Sequence, residues 1–293
     1  YHKNQTSLNH YWTISDKTSL STAAYFSIGK GGGIRESGSN TDLFDTRLGG
    51  ADQPIDFDYV VDVNRARGSR GSEAILAADN NNHEWYGVLS TFKTKLTENI
   101  DIVGGLDIRQ YKGLHYREVY DLLGGEYYAD VDEDTGVDNN VNNSTPVARR
   151  VGDKISYNND GVVGWQGGFA QIEYSGEFLD VFVSSALSNT SYQRIDYFNY
   201  LDSDPLQKTD TYNFLGHSIK GGLNYRLNPN HNVFANVGYF EKAPVFRAVF
   251  TNFSNDPEDI SGDAPNEKIF SVEFGYGLRT EKLAANLNVY RTE

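Results

Sequence analysis

The chain has 293 residues, a formal net charge of −14 and a mean hydropathy of −0.55. It has no Cys, which removes disulfides, thiolate metal sites and cysteine nucleophiles. No apolar run approaches the roughly 20 residues that a membrane helix needs, and the acidic balance repels phosphates, so a nucleic-acid partner is disfavoured.

Along the chain, segments in which every second residue is apolar alternate with short turns and long loops. The first strands carry Tyr11 and Trp12 to a tight turn at Ser15-Asp16-Lys17 and return past Tyr25 and Phe26 into a long loop, Lys30–Asn82. Glu84–Leu96 follows, then the turn Glu98-Asn99 and the strand Asp101–Glu118. There Ile100, Ile102, Gly104, Leu106 and Ile108 alternate with Asp101, Val103, Gly105, Asp107 and Arg109. After the loop Tyr120–Asp160 comes a strand with Trp165 and Tyr174, the turn Ser175-Gly176-Glu177, and the strand Phe178–Tyr197. Leu179, Val181, Val183 and Leu187 alternate there with Asp180, Ser184 and Ser188. The loop Asn199–Asn213 leads to Leu215, Ile219, Leu223 and Tyr225, set against Ser218, Lys220, Asn224 and Arg226, and then to the turn Asn228-Pro229-Asn230. The last long loop is Lys242–Pro265. Phe270, Val272, Phe274, Tyr276 and Leu278 then alternate with Ser271, Glu273, Gly275 and Gly277. A turn at Thr280-Glu281 precedes Leu283, Ala285, Leu287 and Val289, set against Asn286 and Asn288.

A two-residue period sends alternate side chains to opposite faces of a strand. A soluble sheet also alternates, so periodicity alone leaves both cases open. Length and asymmetry separate them. The strands outrun the five or six residues usual in globular sheets, and a tilted membrane strand needs about 9–11. Every tight turn falls at one end and every long loop at the other. The fold class is therefore all-β: an antiparallel transmembrane β-barrel, with about ten strands here, short periplasmic turns and long extracellular loops. Tyr11, Trp12, Tyr25, Phe26, Trp85, Tyr86, Trp165, Tyr174, Tyr192, Tyr225 and Tyr239 lie towards strand ends, where interfacial aromatic girdles belong. The polar face is expected to hold compensating charges, including Asp107, Arg109, Asp180, Arg194, Lys220, Arg226 and Glu273, with each pair in water below about 1 kcal/mol.

The four long loops contain 25 acidic and 12 basic residues, whereas the strands and tight turns contain 15 and 14. The negative excess thus sits at one end, as a solvated surface open to cations or cationic ligands. Asp130, Asp132, Asp134 and Asp138 offer oxygen ligands at alternating positions, but Gly136 falls one place late for a calcium loop and no Glu closes it. A disordered acidic loop is the reading taken. The His residues at 2, 10, 83, 115, 217 and 231 show no metal-like spacing. Gly29-Lys30-Gly31-Gly32-Gly33 opens no helix, so phosphate binding is not expected. No nucleophile motif singles out a Ser, and no enzyme, cofactor or metal is expected.

Tyr1-His2-Lys3-Asn4-Gln5, Ser7 to Trp12, Lys17 to Thr22 and Gly29 to Gly33 resemble a barrel segment of the TonB-dependent outer-membrane receptors in the style of Bacteroidetes-type bacteria. Phe234 to Pro244 resembles that family's strand rising to an aromatic-basic-Ala-Pro corner. Asn266 to Gly277 and Leu283 to Thr292 resemble its next hairpin. The resemblance covers most strands and hardly any loop. It implies a barrel of about 22 strands closed by an N-terminal plug. No plug-like stretch is found, and a sequence without Met that starts at Tyr1 and ends within a strand reads as a piece, residues 1–293 being a partial barrel domain. No signal peptide is visible, which under this reading reflects truncation.

What the resemblance implies about function is energised uptake of a scarce nutrient, such as an iron chelate, cobalamin, a glycan or a peptide. The implied partners are membrane lipid and lipopolysaccharide, the TonB complex through the missing N-terminal region, and a surface lipoprotein. A passive porin, an adhesin and a barrel enzyme are the alternatives. Ligand contacts are expected at the loop end from Tyr120, Tyr127, Tyr128, Tyr197, Tyr200, Phe246, Phe250 and Phe253, because rigid aromatics give large contact area at modest entropic cost. Packing of these rings among the loops is the competing reading for each.

Overall fold

The computed structural model describes residues 1–293. One antiparallel sheet dominates it. Its strands, in chain order, are β1 (His2–Ser15), β2 (Thr18–Lys30), β3 (Gly32–Ser37), β4 (Ile75–Lys95), β5 (Ile100–Asp121), β8 (Lys154–Ser175), β9 (Leu179–Asp196), β10 (Tyr212–Asn228), β11 (His231–Lys242), β12 (Glu267–Arg279) and β13 (Ala284–Thr292). A separate two-residue pair, β6 (Tyr128–Ala129) and β7 (Ala148–Arg149), lies in the loop between β5 and β8. Neighbours in sequence are neighbours in space along β1-β2-β4-β5-β8-β9-β10-β11-β12-β13, with β3 continuing the β2 side of β4. The sheet is not closed: β1 and β13 end the path.

The registers place the alternating apolar sets on one common face. Ile102 lies opposite Ile172, Ile172 opposite Val183, Val183 opposite Gly221, Gly221 opposite Val237 and Val237 opposite Val272. Phe274 faces Val289. Leu106, Leu187, Leu215, Phe274 and Leu287 on this face are all well exposed. In water such a band would be untenable; in a bilayer, acyl chains cover it. Replacing Phe274 with Arg, at a site 64% exposed on this face, is expected to cost roughly 2–4 kcal/mol near the midplane. Refolding titrations into lipid vesicles measure it, and an unchanged stability would reassign the face.

On the opposite face, two ion pairs form among the predicted charges, while Glu273 is met by amides and no ion pair involves Lys220. Arg109 Nε donates to Asp107 Oδ1 at 2.8 Å, Arg226 meets Asp180, and Asn236 and Asn288 donate to Glu273. Arg194 departs from expectation: it is buried with Asp196 beneath a loop instead of lying in a wet lumen.

Three strand ends also depart from the sequence reading. β4 begins at Ile75, β8 at Lys154, and β3 occupies Gly32–Ser37, all inside stretches taken as loop. The strands therefore stand above the membrane, where Arg35 and Arg117 both grip Asp79, at 2.7 and 2.6 Å. Polar cross-strand pairing sustains a sheet there without an alternating apolar signal.

Buried cores occur only at this loop end, because lipid and lumen leave the wall itself with no interior. One core gathers Phe44, Val60, Ala74 and Leu123 beneath α1 (Phe57–Arg67). Asp56 caps α1 by accepting from the Tyr59 N–H, and Gly68, at φ 52°, ends it. The fully buried Asn64 ties α1 to the wall: its amide donates to the carbonyls of Ala74, Leu122 and Leu123 and accepts from Glu73 N–H. Asn64→Leu would leave those groups unpaired at about 1–3 kcal/mol each. Protease cleavage confined to residues 38–74, with the barrel assembled, is the expected result, and resistance equal to the parent's would contradict it.

Candidate functional site

The lumen face carries a continuous aromatic row. Trp85 lies opposite Tyr111, Tyr111 opposite Val163, Val163 opposite Tyr192 and Tyr192 opposite Tyr212. The next row towards the turns runs Gly87, Arg109, Trp165, Thr190 and Phe214. Between the two rows lies an open-sided recess of about 390 Å³ walled by Trp85, Tyr111, Trp165 and Tyr192, with Arg109 and Lys242 at its sides. Strand parity builds this site: the outward set is even in β4, β5 and β8, so odd-numbered Trp85, Arg109, Tyr111 and Trp165 must point inward.

Each wall is held from behind. Trp85 meets Tyr25 edge-on at 5.9 Å, which the absence of a side chain at Gly87 allows, and Tyr111 stacks on His83 at 5.9 Å. Arg109 lies 5.7 Å from the Trp165 ring centroid. The Tyr192 hydroxyl donates to the Pro244 carbonyl at 2.8 Å, and Lys242 Nζ lies 2.7 Å from Glu267 Oε2. The indole N–H of Trp165 is buried without an acceptor.

The loop between β11 and β12 folds inward over this face. Its Val249, Phe250 and Ile260 pack on Tyr192 and Phe214, and Phe246 meets Tyr192 edge-on at 5.5 Å. Arg194 fastens the far end: Nη1 donates to the Asn252 carbonyl at 2.7 Å and Nη2 to that of Phe253. The loop thus forms a fixed shelf over the recess.

The predicted contact residues do not gather at one point. Phe246 and Phe250, with ring centroids 4.6 Å apart, belong to the shelf's core. The Tyr200 hydroxyl accepts from Asn255 N–H at 2.7 Å, tying the neighbouring loop to the shelf. The Tyr197 hydroxyl donates to Asp160 at 2.8 Å, and burial pushes that phenol up to about 12. Tyr128 packs against the core of Ile75, Ala77, Val119 and Ile155, where burial likewise raises it to about 12. Tyr127 donates to the Ser69 carbonyl at 3.1 Å. Tyr120 and Phe253 are freely exposed, at 51% and 82%. Most of these rings therefore build the loops. Tyr11, Tyr25, Trp85, Trp165 and Tyr192, assigned to the girdle, take the lumen face instead; Trp12, Phe26, Tyr86, Tyr174, Tyr225 and Tyr239 point outward as expected.

The acidic stretch is a correction at its two ends, where Asp130 and Asp138 are buried, while Asp132, Glu133 and Asp134 between them stay exposed as expected. Asp138 is fully buried and accepts from Asn140 N–H, Val147 N–H, Asn143 Nδ2 and Arg149. Asp130 accepts from Asn139 and from the N–H of Ser156, whose φ of 61° it helps hold. At Asp130 and Asp138, protein donors occupy the oxygens that a cation would need.

A long-stranded antiparallel wall with one apolar face, one polar face and all long loops at one end is the class of an outer-membrane β-barrel segment. The chain belongs to the TonB dependent receptor-like β-barrel family, whose match spans residues 1–293, and it sits in the outer membrane. Among solved structures it is similar to the copper transporter OprC, with 17% identity and a TM-score of 0.62 over 99% of this chain and 38% of that one. It is similar to the unliganded ferric citrate transporter FecA, with 9% identity, a TM-score of 0.60 and coverage of 99% and 34%. The closed form of the ferric-catecholate import receptor Fiu from E. coli K12 gives 12%, 0.59, and coverage of 99% and 40%. The chain spans no more than 40% of any of these three. No curated protein sequence matches it.

Proposed function

We propose that the complete protein imports a scarce nutrient across the outer membrane with energy coupled through TonB, and that residues 1–293 supply part of the barrel wall and of the ligand-capturing mouth. Membership of a family of transport receptors supports the reading. The observation that carries it is the aromatic and basic recess on the lumen face beneath an inward-folded loop. A shelf anchored by a buried guanidinium beside this recess suits a receptor that holds its ligand. The plug and the TonB-contacting segment belong to the rest of the protein under this reading, which makes 1–293 a partial barrel domain.

Replacing residues 243–266 or 122–153 with short turns in the intact receptor tests the assignment. Uptake of the cognate nutrient is expected to fall at least about tenfold, the factor that 1.4 kcal/mol of lost binding brings, with barrel assembly preserved. Uptake unaffected by both replacements would move recognition to the plug and the remaining loops, leaving this wall as scaffold.

A further inference from the structure

We infer that the recess beside Arg109 takes a ligand bearing an aromatic ring and an oxyanion, an aryl carboxylate being the simplest case, in preference to a neutral sugar or a cation. The inference rests on the import reading and narrows it to a substrate class.

The geometry at Arg109 specifies the charge. Asp107 engages its Nε and one Nη, the bidentate arrangement that fixes a guanidinium plane. The other Nη has no partner within the protein. Asp107 thus orients the group and leaves an open donor edge along the recess, where a planar oxyanion can dock. Lys242 stands at the same recess with one of its donors committed to Glu267. No Asp or Glu lines the recess itself, in a protein of net charge −14. The two acids beside the recess, Asp107 and Glu267, are already committed to Arg109 and Lys242.

The walls specify the ring. Trp85, Tyr111 and Trp165 are each braced by a second ring or by a guanidinium, so they enter binding with their rotamers already chosen, which lowers the entropy cost. Aromatic pairs at such faces gain about 0.5–1.5 kcal/mol beyond burial. At about 390 Å³ the recess is at the small end of the usual ligand-site range of roughly 300–1,000 Å³, suited to one ring with its substituents and not to a whole chelate. A sugar needs donors and acceptors around its rim. Its neutral polar groups are few: the Tyr192 hydroxyl proton is engaged by Pro244, which leaves the Tyr111 and Thr190 hydroxyls beside the two cationic donors.

The test uses the full-length receptor, purified from outer membranes in detergent, and 19F NMR line broadening of three probes: 4-fluorobenzoate, 4-fluorobenzyl alcohol and 2-deoxy-2-fluoroglucose. Saturable broadening of 4-fluorobenzoate is expected, with weak or no response from the others. Arg109→Met and Trp165→Ala are each expected to weaken it about tenfold or more, the worth of a charge-assisted contact, and Arg109→Lys less than Arg109→Met. Heat-modifiable electrophoretic mobility checks assembly of each variant, and Arg109→Met serves alone should Trp165→Ala fail to assemble. Equal 4-fluorobenzoate binding in Arg109→Met, or saturable sugar binding that Trp165→Ala removes, overturns the assignment. Binding in detergent requires no energy source. Intact 4-fluorobenzoate binding without energised uptake in cells would discard the import reading and keep the site; uptake without binding would discard the site alone.

Discussion

Replacing Arg194 with Met is expected to detach the loop between β11 and β12 from the lumen wall while leaving the wall assembled. The Arg194 side chain is buried, and its guanidinium is shared among Asp196 Oδ2 at 3.3 Å and the carbonyls of Asn252 and Phe253. Its own backbone N–H is held by Thr209 at 3.0 Å. Met fills much of the volume but supplies no donor, so two loop carbonyls lose their partner and the buried Asp196 loses its counter-charge. Removing one member of a buried ion pair costs about 3–5 kcal/mol. Asp196 keeps the N–H groups of Phe198 and Asn199 and the Asn199 amide, which points to the lower end of that range. The hairpin registers on either side do not depend on Arg194, so the loss is confined to the shelf. Amide hydrogen exchange across residues 243–266 should accelerate by two orders of magnitude or more, since about 3 kcal/mol of local stability corresponds to that factor. Exchange in β9 and β10 should hold. Arg194→Lys keeps the charge without the fork and should fall between. Exchange rates equal to the parent's would show that the aromatic packing of Phe246 and Phe250 holds the shelf unaided.

The wall was legible because its constraint is one-dimensional. In a strand between lipid and water, every second residue answers to a different solvent, and Phe270, Phe274, Leu283 and Leu287 follow that rule without help from the rest of the chain. The tight turns were legible for a similar reason: Asn228-Pro229-Asn230 closes on itself, with Asn228 Oδ1 accepting from Asn230 N–H at 3.0 Å. The loops obey no period. Asn64, Asp138 and Arg194 look in sequence like ordinary polar residues, and only contacts with partners far along the chain reveal them as buried fasteners. The strand extensions at Ile75 and Lys154 were invisible because above the bilayer both faces meet water or loop, so alternation carries no penalty for being broken. The recess lies between these cases. Trp85, Trp165 and Tyr192 were grouped as girdle residues by type and position. Counting parity from Phe92 in β4, Ile172 in β8 and Val183 in β9 would have turned them inward, beside Arg109. Register, not aromatic residue type, decides which face these rings take.

Asp138→Ala is expected to unfold the loop between β5 and β8, with a distinctive dependence on pH. The buried carboxylate is the common acceptor for Asn140 N–H, Val147 N–H, Asn143 and Arg149, so its removal strands a nearly buried guanidinium and two backbone donors, at about 3–5 kcal/mol. Burial alone would raise this acid. The hydrogen bonds from Asn143, Asn140 and Val147 and the charge of Arg149 outweigh it, and the carboxyl is held below its ordinary 3.8. Asp138 therefore adds stability that is complete above that ordinary value and is lost as pH falls through the depressed folded one. Asp130, in the same loop, runs the other way. Burial raises it in spite of the bonds from Asn139 and Ser156, so its contribution is complete below 3.8 and is lost as pH rises through its raised folded value. Acidification from neutrality should first tighten the loop as Asp130 takes up its proton and then release it as Asp138 does. Residues 1–293 contain no Cys, so a nitroxide on Val151→Cys, an exposed position, reports the loop by its mobility. Asp130→Asn should abolish the tightening limb and leave the release. Asp138→Asn should abolish the release, with mobility already raised at neutral pH because Arg149 has lost its counter-charge. A monotonic pH profile in the parent would mean that only one of the two carboxylates governs the loop, and the Asn variants identify which.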